Sequence, residues 1–512
     1  MDEPRADLTE LRRRRALTED AARPDAVARR HATGARTARE NVADLVDPGS
    51  FVEYGRFAIA PQRMRRDVED LIARTPADGL VAGTARVDGA PCAVLSYDYT
   101  VLAGTQGAVG HRKKDRLFEL IERMKLPTVF FAEGGGGRPG DTDHPVVSAL
   151  DTRAFALWAK LSGVVPRIAV VHGRCFAGNA VIAGASDLIV ATRNASLGMG
   201  GPAMIAGGGL GDVHPDAVGP MDVQEPNGNV DVVVADEVEA VAVARKLLGY
   251  FQGGTTDWRA PDQTALRTAV PERARRAYDV APVIETLADA GSVTFLRPRF
   301  AREMVTALAR IEGRPVGVIA NDTRFTAGAI TAAASDKAAR FLQLCDGFGF
   351  PVISLIDCPG YMVGPAAEAE SLVRRASRML VAGAALRVPL IAVVLRRGYG
   401  LGAQAMAGGS LHEPVLTVAW PGAHLGPMGL EGAVRLGMRK ELEAIADDEE
   451  REQRVRDATA AAQEHAKALN AAMLFEIDDV IDPADTRSVI ASTLTAAAAT
   501  APRPGRRFVD TW

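Results

Sequence analysis

Cysteine is scarce and scattered. The 512-residue chain has four, Cys92, Cys175, Cys345 and Cys358, none in C-x-x-C spacing, which excludes a zinc ribbon or disulfide framework and points to reducing cytoplasm. Net charge is lacking too. Sixty basic residues face 64 acidic ones, so no field draws the chain onto nucleic acid or an anionic membrane, and any phosphate binding must be local. No apolar run reaches membrane length, and Arg12 to Arg15 lead into charged sequence instead of the apolar core of a secretory signal. Glu133-Gly-Gly-Gly-Gly-Arg138 follows a predicted strand but lacks the Lys-Ser/Thr of a phosphate loop and the spacing of a dinucleotide turn, so neither ATP nor NAD is indicated. No nucleophile motif of the G-x-S-x-G kind accompanies His111, His144, His172, His214, His412 and His424. Structural roles suit these histidines; His172, before a glycine-rich turn, and His111, at a helix start, are the candidates for acid–base work.

What the chain does have is a long internal repeat. Ala85-Arg-Val-Asp-Gly-Ala-Pro91 returns as Ala309-Arg-Ile-Glu-Gly-Arg-Pro315, an offset of 224 (309 − 85). Ala103-Gly104 then falls on Ala327-Gly328, Lys113 on Lys337, Pro127 on Pro351 and Gly136 on Gly360, and Val165-Pro-Arg-Ile-Ala-Val-Val171 matches Val388-Pro-Leu-Ile-Ala-Val-Val394 at 223. Periods of roughly 20 to 50 residues mark solenoids and propellers; a period this long marks two complete domains.

Each copy alternates strand and helix. The patterns predict strands at 91–97, 127–132 and 167–171 and helices at 112–124 and 148–162. In the second copy they predict strands at 314–320, 351–357 and 389–395 and helices at 333–348 and 366–385. This is an α/β rhythm of helices packed on sheets. The first fifty residues read as charged helix outside the core, the turn-rich stretch from Phe251 to Asp279 places a boundary near residue 275, and the charged tail 441–470 reads as a surface helix pair. The expected domains are therefore 1–275 and 276–512.

Where each repeat ends a strand, small residues gather: Gly173-Arg-Cys-Phe-Ala-Gly-Asn-Ala180 in the first copy, Arg397-Gly-Tyr-Gly-Leu-Gly-Ala403 in the second. A strand, a glycine turn and a helix start leave backbone N–H groups without helical partners, free to point at an anion or a developing oxyanion. Such glycines also serve close packing alone, but the same device at the same place in both copies favours a chemical role.

Further motifs carry a family resemblance: Arg36-Thr-Ala-Arg-Glu40, Asp47-Pro-Gly-Ser-Phe-Val-Glu53, Ser335-Asp-Lys-Ala-Ala-Arg-Phe341, Asp357-Cys-Pro-Gly360, Arg397-Gly-Tyr-Gly400, Ala419-Trp-Pro421 and Ile481-Asp-Pro-Ala-Asp-Thr-Arg487. In this order the chain resembles, over almost its whole length, the carboxyltransferase (beta) subunits of biotin-dependent acyl-CoA carboxylases of the propionyl-, methylcrotonyl- and acetyl-CoA type. Phe176-Ala-Gly-Asn179 resembles the carboxyltransferase part of single-chain acyl-CoA carboxylases. The resemblance implies two tandem crotonase-like (ClpP/crotonase, ββα spiral) domains, an active site between the N-domain of one subunit and the C-domain of another, and a homohexamer, a trimer of dimers.

It also implies the chemistry: CO2 passes from carboxybiotin to the α-carbon of an acyl-CoA, with negative charge on the thioester oxygen and on the biotin ureido oxygen. The peptides of Ala177 and Gly178 are expected to stabilise the first, those of Leu401 and Gly402 the second, with Gly400 competing for the place of Leu401. Gly135, Gly136, Arg138, Gly200 and Gly201 are expected near CoA, and Tyr399, Gly400 and Gln404 near biotin. A tight loop with a solvated arginine explains 135–138 equally well. Arg112, Lys113 and Lys114 could meet the CoA phosphates, or be helix-surface charge. Many propionyl-type subunits carry aspartate where this chain has Gln404, so the acyl group stays open. No metal is expected. With no ATP-grasp domain and no biotinylation sequence, biotin is expected on a partner carrying biotin carboxylase and carrier domains, with no nucleic-acid or membrane partner. The alternatives are an acyl-CoA decarboxylase, a biotin-independent crotonase-type enzyme, or a noncatalytic scaffold in a carboxylase complex.

Overall fold

The computed structural model describes residues 5–143, 150–273, 275–498 and 507–512. The chain divides into two compact units between Gln252 and Gly253. In the first, strands β1 (Val52–Glu53), β2 (Leu80–Val87), β3 (Ala90–Tyr97), β4 (Thr128–Gly134), β5 (Arg167–Phe176), β6 (Leu188–Thr192) and β8 (Val232–Val234) form a sheet in the order β1-β2-β3-β4-β5-β6-β8, with β7 (Ser196–Gly198) paired to the end of β5. The pairs β1·β2 and β2·β3 are antiparallel; from β3 onward every pair is parallel.

The second unit has the same plan. Its strands β9 (Thr294–Leu296), β10 (Met304–Ile311), β11 (Arg314–Asn321), β12 (Val352–Cys358), β13 (Leu390–Tyr399), β14 (Leu416–Ala419) and β16 (Asp479–Val480) lie in the order β9-β10-β11-β12-β13-β14-β16, with β15 (His424–Gly426) paired to the end of β13. Central parallel strands are covered on both faces and so read as unbroken apolar runs; every residue of β4 and β12 is buried.

Equivalent 17-residue helices, Ala108–Met124 and Ala332–Phe348, lead into β4 and β12. The first turns Leu117, Phe118 and Ile121 inward and stops at left-handed Lys125; the second stops at left-handed Gly349, the conformation that frees the last carbonyls for capping. The predicted helix over 148–162 is observed at Ala154–Lys160, with 144–149, and hence His144, outside the described residues. The one expected over 366–385 is split into Pro365–Ala369 and Leu372–Ala384 by Ser371 at φ 60°.

The N-terminal expectation needs correction. Helix Ala6–Ala16 buries nothing, but Pro24–His31 and Ala38–Leu45 enter the unit through Arg30, Val42 and Leu45. The Arg36–Glu40 motif starts the latter helix as a capping box, in which Thr37 Oγ1 accepts from Glu40 N–H and the Glu40 carboxylate from Thr37 N–H. The segment after Gln252 packs with the second unit, burying Leu266 in its core, so the compact division falls earlier in sequence than residue 275. No helix among the described residues is long and apolar enough to cross a membrane.

Candidate functional site

In the first unit the β4·β5 register shifts between Ala132 and Gly134, an irregularity that re-aims the strand end and starts the turn 134–138. Beside it β5 ends at Phe176, Ala177 takes φ 51° and ψ −125°, and helix Gly178–Gly184 begins. A non-glycine residue held at positive φ is strained, and surrounding structure must impose it. Gly136, at φ 91°, faces Ala177 so closely that an added Cβ would lie 2.7 Å from the Ala177 Cβ. Gly201 lies under the Phe176 ring, 3.1 Å from where its Cβ would be, and Gly200 sits against Met204. The structure thus brings Gly136, Ala177, Gly178 and Gly201 to one edge, with Gly135 exposed beside them.

The donors are not equivalent. Ala177 N–H already donates to Gly198 O at 3.2 Å. Gly178 N–H, first of its helix, meets no protein acceptor among the described residues, as helix starts dictate.

The basic residues expected near CoA behave differently. Arg138 is turned inward, with Nη1 2.6 Å from Asp78 Oδ1 and Nη2 donating to Thr105 O at 3.0 Å, so it braces the turn from behind and is not a solvated arginine. Lys113 is buried and donates to the carbonyls of Gly55, Ala77 and Leu80. Its repeat mate Lys337 does the same with Arg297 and Phe300, which explains why both copies keep a lysine. Lys114 is buried too; of the three only Arg112 is exposed. Helix-surface charge therefore describes neither lysine: the Ala108–Met124 helix turns both under the sheet edge. Burial lowers the Lys113 pKa to about 8 and the Lys114 pKa to about 7.

Behind the turn, Glu133 is clamped by Arg30. His172 Nδ1 lies 2.9 Å from Glu237 Oε1 and 3.7 Å from Glu133 Oε2. Burial favours the neutral form of Glu237, but its hydrogen bond with His172 holds its pKa below the usual carboxylate range. His172 is thus an inward-facing member of an ionic cluster. Burial, then the charges of Lys114 and Arg138, push the His111 pKa down to about 3.

The second unit repeats this arrangement. Its register shifts between Ile356 and Cys358, β13 ends at Tyr399, and Gly400 takes φ 57°. Phe176 pairs with Gly198 and Tyr399 with Gly426, an offset of 223 that puts Gly400 at the place of Ala177 and Leu401 at that of Gly178. Gly402 answers to Asn179 and packs on the next turn, where an added Cβ would come within 2.7 Å of the Gly360 carbonyl carbon. Asp357 is clamped by Arg396 Nε at 2.9 Å and Arg397 Nε at 2.6 Å. A groove of about 650 Å³, lined by Gly400, Leu401, Gln404, His412, Pro427 and Lys467, opens at this turn. Leu401 and Gln404 are exposed in it, while Tyr399 is mostly buried and burial raises its pKa.

Sequence reasoning missed Arg30, Gln106, Lys114 and Asn179 as supports. Arg30 lies 103 residues from the carboxylate it holds; only the acid before each glycine turn, Glu133 and Asp357, hinted that a counter-charge was needed.

The carboxyl transferase domain family matches residues 29–508. The methylmalonyl-CoA carboxyltransferase 12S subunit of Propionibacterium freudenreichii subsp. shermanii is 34% identical over 91% of this chain and 90% of its own length. The transcarboxylase 12S crystal structure, a hexamer with methylmalonyl-coenzyme A and methylmalonic acid bound, superposes with TM-score 0.86 at 32% identity, covering 99% of this chain and 98% of that one. A single-chain, multi-domain long-chain acyl-CoA carboxylase superposes with TM-score 0.92 at 56% identity over 96% of this chain, which spans 49% of that protein's length. The chain belongs to the carboxyl transferase domain family, as a carboxyltransferase of the biotin-dependent acyl-CoA carboxylase type.

Proposed function

We propose that the two units are tandem crotonase-like domains descended from one ancestor, the first taking the acyl-CoA and the second biotin, and that each supplies main-chain N–H groups to one oxyanion. The observation that carries this reading is the pair of matched turns, Ala177-Gly178 and Gly400-Leu401, each at positive φ and each opening a helix beside a second glycine turn. Because Ala177 N–H is engaged by Gly198, the thioester oxygen is assigned to Gly178 N–H together with the adjoining 134–137 turn. Leu401 N–H holds the corresponding place in the second unit.

Fixed donors aimed where charge develops need no reorganisation during reaction, and each contributes about 3 kcal/mol of transition-state stabilisation. Gly178 N–H strengthens its bond as the α-carbon loses its proton and the thioester oxygen becomes negative. Biotin, bound covalently to a separate carrier, supplies the CO2 and, through its ureido nitrogen, the base that accepts the α-proton. The groove at Leu401 is within the size range of small-ligand sites and offers Gln404 as a neutral hydrogen-bonding side chain. A homohexamer in the cytoplasm, working with a biotin carboxylase and carrier subunit, completes the proposal.

Purified protein incubated with malonyl-CoA, methylmalonyl-CoA and longer 2-carboxyacyl-CoAs plus free biotin tests it. Biotin-dependent decarboxylation is expected; turnover without biotin, or none with any ester, overturns it.

A further inference from the structure

We infer that Lys114, Gln106 and Asn179 form a positioning relay that holds the Gly178 helix and the 134–137 turn at one spacing, under the field of a buried ammonium. The inference rests on the reading of Gly178 as an oxyanion donor.

Lys114 Nζ donates to Gln106 Oε1 at 2.5 Å, and Gln106 Nε2 donates to Asn179 Oδ1 at 2.9 Å. Asn179 Nδ2 then donates to Glu133 O at 2.7 Å and Gly104 O at 3.2 Å. Through Asn179 the start of the Gly178 helix is tied to the end of β4. Gln106 grips the other turn with its backbone: its N–H donates to Gly136 O at 2.7 Å and its carbonyl accepts from Arg138 N–H at 2.9 Å. Its side chain lies directly under Gly178, with Nε2 3.0 Å from where a Cβ of Gly178 would be. One residue therefore touches both turns.

The second unit shows that the frame folds without this relay. At the positions of Gln106, Lys114 and Asn179 stand Ile330, Ala338 and Gly402. Ile330 keeps the backbone bridge, its N–H donating to Gly360 O at 3.0 Å and its carbonyl accepting from Met362 N–H at 2.9 Å. The carbonyl of Gly328, equivalent to Gly104, accepts instead from Asn321 Nδ2 at 3.2 Å. Backbone satisfaction is thus common to both units, and the charged relay belongs to the first alone. A demand specific to that turn explains it: the thioester oxygen becomes anionic beside a helix whose first side-chain polar group is polarised by an ammonium.

Lys114 makes no ion pair among the described residues. It lies over the rings of Tyr97 and Phe155. The ionisable groups around it are His111 and Asp115 on its own helix, Asp78 and Arg138 on the flanking loops, and Tyr97 of β3 with Cys175 of β5 beside it. Burial, the largest influence, puts its pKa at about 7, so the charge is present below neutrality and lost above it. The kcat of biotin-dependent decarboxylation should fall as pH rises through this value.

The test compares wild type with Gln106→Ile and Lys114→Met, changes whose counterparts in the second unit are apolar. Gln106→Ile is expected to lower kcat by about 10- to 100-fold with KM for the CoA ester within about twofold. Lys114→Met is expected to lose the kcat inflection near neutrality. Wild-type kcat in Gln106→Ile, or a kcat of the wild-type enzyme that is flat from about pH 6 to about pH 8.5, overturns the inference; the latter needs no variant to fold. Gly178→Pro separates the two claims: full activity there rejects the oxyanion assignment itself, whereas loss of activity there with unaltered Gln106→Ile and Lys114→Met rejects only the relay.

Discussion

Arg30 grips Glu133 with both terminal nitrogens, Nη1 to Oε1 at 2.8 Å and Nη2 to Oε2 at 2.7 Å. Asp357, at the matching strand end, is held by two arginines of the neighbouring strand, Arg396 and Arg397. Each carboxylate immediately precedes a glycine turn, and each needs a counter-charge because it is buried. The second unit finds its cations locally, at the end of β13. The first has Gly173 where Arg396 stands, and a Cβ there would lie 2.0 Å from Glu133 Oε1. Its cation therefore comes from the N-terminal helix Pro24–His31.

Arg30→Met is expected to destabilise the first unit by about 3 to 5 kcal/mol, because it leaves a carboxylate buried without its bidentate partner. The double change Arg30→Met with Glu133→Gln should recover part of that loss, since a neutral amide is left in place of the charge. Calorimetric unfolding of the three proteins checks both; equal transitions for single and double variants would show that the charge is neutralised in another way.

The repeat, the strand–helix alternation and the glycine turns were legible because each is a pattern in the sequence itself, and each occurs twice along the chain. The helix expected at 333–348 and the strands expected at 127–132 and 351–357 fall within a few residues of their observed bounds. The supports were not legible. Lys113 and Lys114 read as contacts to the CoA phosphates or as surface charge on a helix, and nothing in the spacing reveals that Lys113 closes the carbonyls of Gly55, Ala77 and Leu80. The commitment of Ala177 N–H to Gly198 depends on β7 returning to the end of β5, a pairing 21 residues away (198 − 177) that no local propensity specifies.

Gly178→Pro removes the N–H assigned to the thioester oxygen. Turnover is expected to fall by about 10²- to 10³-fold, with the elution volume in size exclusion unchanged from wild type. Full activity would place the donor elsewhere.

Leu401→Pro makes the complementary cut in the second unit. The Leu401 side chain is 67% exposed, so its loss removes little packing. Biotin-dependent turnover should fall by about 10²-fold or more, while calorimetric titration with the CoA ester should give an unchanged Kd. A weakened Kd would argue against assigning the two substrates to different units.

Lys114 also gives stability a pH dependence whose sign can be worked out. Its folded pKa is about 7 against 10.5 for the free side chain, so above pH 7 the unfolded chain binds one more proton than the native one. Stability then rises with pH from about 7, by up to about 1.4 kcal/mol per unit. The buried thiols oppose this above about pH 9: burial pushes Cys92 and Cys358 up to about 12, so there the native state holds the extra protons. Lys113, lowered by burial to about 8, adds a slope of the same sign above that pH, so Lys114→Met should flatten the slope between about pH 7 and about pH 8 in urea titrations; equal slopes there would mean that the Lys114 ammonium stays charged in the folded protein.

Gly402→Ala tests the closest contact in the second unit. The new Cβ would lie 2.7 Å from the Gly360 carbonyl carbon, 2.8 Å from Gly360 Cα and 2.8 Å from Cys358 Sγ. Backbone cannot yield as a flexible side chain does, so the helix Gly400–Met406 must move off the 360 turn, at a cost of about 1 to 3 kcal/mol. Leu401 moves with that helix, and biotin-dependent kcat should drop while the KM for the CoA ester holds. Adding Cys358→Ala removes only the sulfur contact and should not restore the rate. Full restoration would show that the thiol alone sets the spacing between the two turns.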